Sequence, residues 1–240
     1  MLLVLSPWGP IAQAGIIASA TRVIFHEGDT EKTLMLVNTN SYPVVAQTWV
    51  DNGDVNAAPE LSRAPFISLP SVFGMQPGVL KGLKIILADV SSPADRESVF
   101  WLNLYEVPPS QPLVLPLQSR VTLAMNTQIK IFYRPKNLVG EAKHASDGAS
   151  FTLAKSTKGY SLVCKNDSAF YLSFAYLSVQ LGKRSYPAQL ENDMMTAPFS
   201  TKDYHIDYIG KIDQSQNVMV NVSVINDQGQ QITKQYSATR

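Results

Sequence analysis

Short runs of apolar and β-branched residues alternate with clusters of turn-forming residues along the whole chain. The run 21–25 ends at His26-Glu27-Gly28-Asp29, the run 33–37 at Asn38-Thr39-Asn40-Ser41, and the run 44–50 at Asp51-Asn52-Gly53-Asp54. β-Branched and aromatic side chains suit a pleated, half-buried surface, while Gly, Asn, Asp and Ser supply the conformations of tight turns. Further runs occupy 83–87, 99–107 and 121–133. After Arg134-Pro135-Lys136-Asn137 a second series covers 151–154, 160–165, 170–179 and 218–225. No segment holds a helical period over three turns. The pattern predicts an all-β chain of two β-sandwich domains, spanning 15–136 and 137–240. The stretch 139–148 is small and polar and reads as a linker or early loop.

The run 121–133 stands out. Val121, Leu123, Met125, Ile129 and Ile131 share one face by period-2 geometry, and Thr122, Asn126, Gln128 and Lys130 share the other. It is about twice the length of a typical strand, and Pro108-Pro109 and Pro112 interrupt the connection before it. One reading is an ordinary core strand. The sharper reading is a strand whose upstream half forms an exposed apolar edge, available to pair with another chain. Such an edge is also a route to self-association of the free form.

Composition removes several classes. The chain has 240 residues, 20 Lys+Arg against 19 Asp+Glu, and a net charge of +1. That balance gives no field to gather nucleic acid or an anionic membrane. Charged residues make up 16%, against about 25% in ordinary globular proteins, which argues against coiled coils and charged tails. No apolar run reaches the ~18 residues of a transmembrane helix. Cys164 is the single cysteine, so there is no internal disulfide and no paired Cys/His zinc site. Cys164 lies in an apolar strand pattern with Leu162 and reads as a buried, inert thiol. The three histidines, His26, His144 and His205, are dispersed and no Gly-x-Ser-x-Gly elbow accompanies them, so neither a hydrolytic triad nor a cofactor is expected. At the N-terminus, an apolar run ends in Ala12-Gln13-Ala14 before Gly15. This small-x-small pattern predicts a signal peptide over 1–14 with a truncated start, since no Lys or Arg precedes Arg22. An N-terminal strand is the alternative.

Four segments resemble one family. They are Asp95-Arg96-Glu97-Ser98-Val99-Phe100-Trp101-Leu102-Asn103-Leu104-Tyr105-Glu106-Val107-Pro108-Pro109, Ile129-Lys130-Ile131-Phe132-Tyr133-Arg134-Pro135, Ala20-Thr21-Arg22-Val23-Ile24-Phe25 and, more weakly, Val224-Ile225-Asn226-Asp227-Gln228-Gly229. Together they resemble the periplasmic pilus-assembly chaperones of the chaperone–usher pathway. The resemblance implies two immunoglobulin-like domains in an L shape with a cleft between them. It implies a non-enzymatic periplasmic protein that captures pilus subunits by donor-strand complementation and passes them to an outer-membrane usher. It further implies that Arg22 and Lys130 anchor a subunit's C-terminal carboxylate, that Val121, Leu123 and Met125 form the donor strand, and that Glu97, Arg134 and Asp227 form an interdomain salt-bridge cluster. Without the resemblance all five charged residues read as surface charges.

Some features depart from the family. The connection 109–121 is longer than in short-loop members, yet lacks the cysteine pair of long-loop members. Asn166-Asp167-Ser168-Ala169 stands where Asn-Pro-Thr-Pro is frequent. Two other functions are compatible with a β-rich exported chain: a tandem immunoglobulin-like adhesive or structural protein, and a hydrolase on a β scaffold. The first is expected to lack the Arg22/Lys130 pair and the donor edge, and the second needs a nucleophile motif that the chain does not carry.

Overall fold

The computed structural model describes residues 15–54, 59–88, 91–109, 124–156, 159–207 and 217–240. The expected signal segment 1–14 and the donor positions Val121 and Leu123 lie outside these residues. The strands are β1 (Ile16–Ala18), β2 (Arg22–His26), β3 (Glu31–Asn38), β4 (Val44–Asp51), β5 (Phe66–Leu69), β6 (Val72–Met75), β7 (Leu80–Leu87), β8 (Ser98–Val107) and β9 (Met125–Arg134). They continue with β10 (Ser150–Ser156), β11 (Gly159–Asn166), β12 (Leu172–Leu181), β13 (Arg184–Pro187), β14 (Met195–Thr196), β15 (Ser200–Ile206), β16 (Val218–Ile225) and β17 (Gln231–Thr239). The chain is all-β, apart from short 3-10 turns at Pro59–Leu61 and Ala142–Gly148.

Two compact units form. Among the described residues, the first takes those within 1–19, 30–88 and 101–129, and the second those within 20–29, 89–100 and 130–240. β8 and β9 therefore contribute residues to both. In the first unit one sheet runs β1-β3-β7-β5, with Leu34 opposite Leu83. The other joins β4 to β6 and to β8, from Val45 opposite Val107 to Asp51 opposite Trp101. Alternation along each strand buries Leu34 and Leu36, Leu83 and Ile85, Ala46 and Val50, and Leu102 and Leu104, as period-2 geometry requires. Truncating any one of these leucines to Ala costs about 2–5 kcal/mol through lost burial and a residual cavity.

In the second unit the strand path is β13-β12-β16-β17-β10-β11-β15, with β14 beside β12. Its core gathers Phe151, Leu162, Cys164, Phe174, Leu177, Val179, Tyr204, Val220 and Val222. The Phe174 and Tyr204 rings meet edge-on at 5.7 Å, and the Tyr204 hydroxyl shares a 2.9 Å hydrogen bond with Thr196 Oγ1. Cys164 is fully buried, and burial pushes its thiol up to about 11, so almost no thiolate exists at neutral pH.

The structure departs from the sequence expectations at the strands β1, β5, β6, β13, β14, β15 and β17, which lie outside the predicted runs, and in the stretch read as linker. The stretch read as linker carries the 3-10 helix Ala142–Gly148, whose Ala145 and Ser146 are buried. Ser146 is held there by the Lys234 ammonium at 2.6 Å and by the Tyr236 hydroxyl, which donates to its carbonyl at 2.7 Å. Strand β17 was not expected at all. It is mostly polar and partly exposed, but it pairs antiparallel with β16 along its length and parallel with β10 at its end.

Candidate functional site

The site starts from one register. β2 and β9 pair in parallel within the second unit, with Arg22 opposite Lys130 and His26 opposite Arg134. Cross-strand partners on adjacent strands carry their side chains to the same face, so two cations stand side by side. Arg22 is 92% removed from solvent, at 8% exposure. Its guanidinium donates to the Ile225 carbonyl at 3.2 Å and, at the limit of bonding distance, to Ser173 Oγ at 3.5 Å. The guanidinium carbon lies 5.7 Å from the centre of the Phe132 ring. Its Nε is buried without a partner among the described residues. Burial lowers the Arg22 pKa, partly offset by Asp227 and Glu97.

Lys130 is half-buried, and its ammonium makes neither a hydrogen bond nor a salt bridge among the described residues. Burial lowers its pKa. Asp193 partly opposes that shift, whereas Arg22 and Lys202 add to it. Two adjacent cations, one buried and one half-buried, with no carboxylate in contact among the described residues, are short of negative charge. Such a pair favours an anion with two acceptor oxygens, because charge-assisted hydrogen bonds recover the lost hydration.

Next along β9, Arg134 brings Glu97 and Asp227 together. Its Nε donates to Glu97 Oε1 at 2.6 Å, while its two terminal nitrogens form a fork on Asp227 at 2.6 and 2.7 Å. Glu97 is almost fully buried, and its second oxygen accepts the Tyr171 backbone N–H at 2.8 Å. Burial pushes the Glu97 carboxyl up, opposed by Arg134 and the Tyr171 N–H. Hydrogen bonding to Arg134 holds Asp227 below the usual carboxylate range. Arg134 also stacks over Phe170 at 5.4 Å. All of these residues belong to the second unit. There Arg22, Glu97, Phe132, Arg134, Tyr171 and Asp227 line a cavity of about 510 Å³.

Of the three expected donor residues, Met125 is described. It opens β9 and is half exposed. Its downstream neighbours are clasped from the polar face: the Asn126 and Gln128 amides donate to Asn103 Oδ1 at 3.1 and 2.9 Å. Asn103 in turn donates to Asp51 Oδ2 at 2.6 Å, and the Trp49 indole N–H donates to the same oxygen at 3.1 Å. Sequence reasoning named neither this network nor Tyr171, Phe132, Ser173 or Ile225 around the charges. A lone Asn within the apolar run of β8 was a usable signal. Tyr171 and Ile225 act through their backbones, which leave no trace in residue type.

Both parts of the chain match known families. Residues 15–139 match the model of the pili and flagellar-assembly chaperone PapD N-terminal domain, and residues 149–236 match the pili assembly chaperone PapD C-terminal domain. This chain is a PapD-like pilus-assembly chaperone. The chaperone is 33% identical over 218 residues to the probable fimbrial chaperone YadV of Escherichia coli K12, covering 90% of this chain and 87% of that one. It is 33% identical to the chaperone protein FimB/FhaD of Bordetella pertussis, over 73% of this chain and 72% of the relative. Among solved structures, the YadV chaperone superposes with a TM-score of 0.75 at 30% identity, over 92% of this chain and 98% of that one. The Salmonella enterica SafB chaperone, solved in complex with the SafA pilin, gives 0.70 at 26% identity, over 94% and 97% of the two chains.

Proposed function

We propose that this chaperone holds pilus subunits in the periplasm by donor-strand complementation and delivers them to an outer-membrane usher. The single observation that carries the reading is the Arg22–Lys130 pair: neighbouring, partly desolvated, and touching no carboxylate among the described residues. A polypeptide C-terminus supplies two acceptor oxygens and one negative charge, which suits that pair. Anchoring the end of a subunit at Arg22 and Lys130 sets the register of the subunit along the strand leading into β9. Register matters because a one-residue slip turns every side chain to the other face. Val121, Leu123 and Met125 then occupy the apolar groove of the subunit, while the backbone of the strand completes the subunit's sheet. The known pilin complex of SafB supports this reading. No catalysis and no cofactor is required, since the work is mutual coverage of apolar surface and sheet edges.

Co-expression with a pilin-like subunit tests the proposal. Arg22→Ala and Lys130→Ala are each expected to abolish recovery of the subunit complex while the chaperone itself stays folded. Losing one partner of a desolvated charged contact costs ~2–5 kcal/mol. Recovery of the complex at the wild-type yield from either variant would show that the pair is not the anchor.

A further inference from the structure

Glu106 is a buried carboxylate that the proposed function does not use. It sits near the end of β8 in the first unit, 6% exposed. Oε2 accepts the Ile16 backbone N–H at 2.8 Å and Oε1 accepts the Asn40 side-chain amide at 2.6 Å. Asn40 is itself held by Asn38 Oδ1 through both its backbone and its side-chain nitrogens, at 3.0 and 2.9 Å. The Asn40 carbonyl oxygen Oδ1 accepts the Gly15 N–H at 3.0 Å. The groups around Glu106 are Gly15 and Ile16 from the β1 end, Asn38 and Asn40 from the β3 end, and Ala46 opposite it on β4. Met125 of β9 reaches the Gly15 side of the cluster. None of these is ionisable, and among the described residues no Lys, Arg or His pairs with Glu106. Glu106 is thus a buried carboxylate held by neutral donors, and buried charges are ordinarily paired.

Gly15 supplies the missing charge if it carries a free amine. A side-chain carbon placed on Gly15 would lie 3.6 Å from Glu106 Oε2, so the backbone of Gly15 is already against the carboxylate. Gly15 also follows Ala12-Gln13-Ala14, a small-x-small cleavage pattern. We propose that hydrolysis of the Ala14–Gly15 peptide bond by a signal-peptidase-type protease leaves the Gly15 ammonium as the buried counter-ion of Glu106. Water adds across the broken C–N bond, giving a carboxylate on Ala14 and an ammonium on Gly15. The new ammonium has three donors where the amide had one, so it keeps the bond to Asn40 and gains Glu106. Processing thus completes the charge balance of the first unit, independently of what the chaperone binds.

The sign of the pH dependence follows from the ion pair. An amine gaining a carboxylate partner titrates higher in the folded chain than the ~7.7–8.0 of a free α-amine. Its stabilisation is fully present below that unfolded value and is lost as pH rises through the folded one. The test compares the chain starting at Gly15 with a free amine and the same chain N-acetylated, by thermal unfolding between pH 6 and 10. The free-amine chain is expected to melt higher at pH 6–7, with the gap closing toward pH 10 and absent in Glu106→Gln. Direct NMR titration of the Gly15 amine in the wild-type chain should give a pKa raised by about one unit or more, a reading that does not depend on the variant folding. Mass spectrometry of the exported protein should find Gly15 at its N-terminus. A gap that is absent, or that survives in Glu106→Gln, overturns the ion pair. So does an unshifted amine pKa, and an N-terminus elsewhere overturns the processing site.

Discussion

Replacing Arg134 with Ala removes the only cation bonded to Glu97 among the described residues. Glu97 Oε1 loses its 2.6 Å donor inside the second unit while Oε2 keeps the Tyr171 N–H. The Glu97 side chain is 1% exposed, so water does not replace the guanidinium, whereas the Asp227 side chain at 35% can rehydrate. The Glu97 half therefore sets the magnitude. Breaking a buried pair from one side costs about 3–5 kcal/mol, and the Asp227 half adds under ~1 kcal/mol. Protonating Glu97 relieves the stranded charge. Burial already pushes its carboxyl up, and without Arg134 the Tyr171 N–H is left as the hydrogen bond that opposes that push. The cost in Arg134→Ala should then be large near pH 7 and shrink as pH falls and Glu97 takes up a proton. Asp227 does not confuse the comparison: Arg134 holds it low, so its stabilisation is fully present above the ordinary carboxylate value of ~3.9 and is lost only below it. Calorimetric unfolding of both proteins between pH 4 and pH 8 reads the difference. A loss below ~1 kcal/mol at pH 7, or a loss that does not change with pH, would refute the buried-charge reasoning.

Other outcomes are expected on the same grounds. Lys130→Met should stabilise the free chaperone, because burial lowers the Lys130 pKa; the gain over wild type should fade as pH rises toward the unfolded lysine value of ~10.4, read from melting midpoints at pH 7 and above. Leu123→Asn should weaken subunit binding by ~1–3 kcal/mol beyond its lost apolar contact, with Thr122→Asn near wild type; equal losses in a titration at matched chaperone concentration would overturn the facing. Asn103→Ala should cost about 1–3 kcal/mol, because it leaves Asp51 and the Asn126 and Gln128 amides without their shared partner; denaturant unfolding checks it.

Local alternation was enough to read much of the fold. The pairs Leu34 and Leu36, Leu83 and Ile85, and Ile129 and Ile131 announce their buried faces because strand geometry repeats every two residues, and that repeat is written in neighbouring positions. Cys164 between Val163 and Lys165 was legible as core for the same reason. β17 was not, since Gln231, Thr233 and Gln235 carry no apolar signal and the strand is held by its pairing with β16. The 3-10 helix at Ala142–Gly148 was hidden likewise: its small residues look like loop until Lys234 and Tyr236 fasten Ser146.

For the charges, spacing along the chain said nothing. Arg22 and Lys130 are ordinary surface cations by type, and the motifs named them only through resemblance to a family. Their chemistry depends on the parallel register of β2 with β9 and on Phe132, Ser173 and the Ile225 carbonyl, which strip water from Arg22. Glu97, Arg134 and Asp227 are far apart in the chain, and their strength comes from burial that no local pattern encodes. The sequence by itself determined which residues alternate, where the chain turns and which charges it carries. Tertiary structure alone decided which charges lose their water and which meet a partner, because desolvation depends on atoms from distant segments arriving at one place.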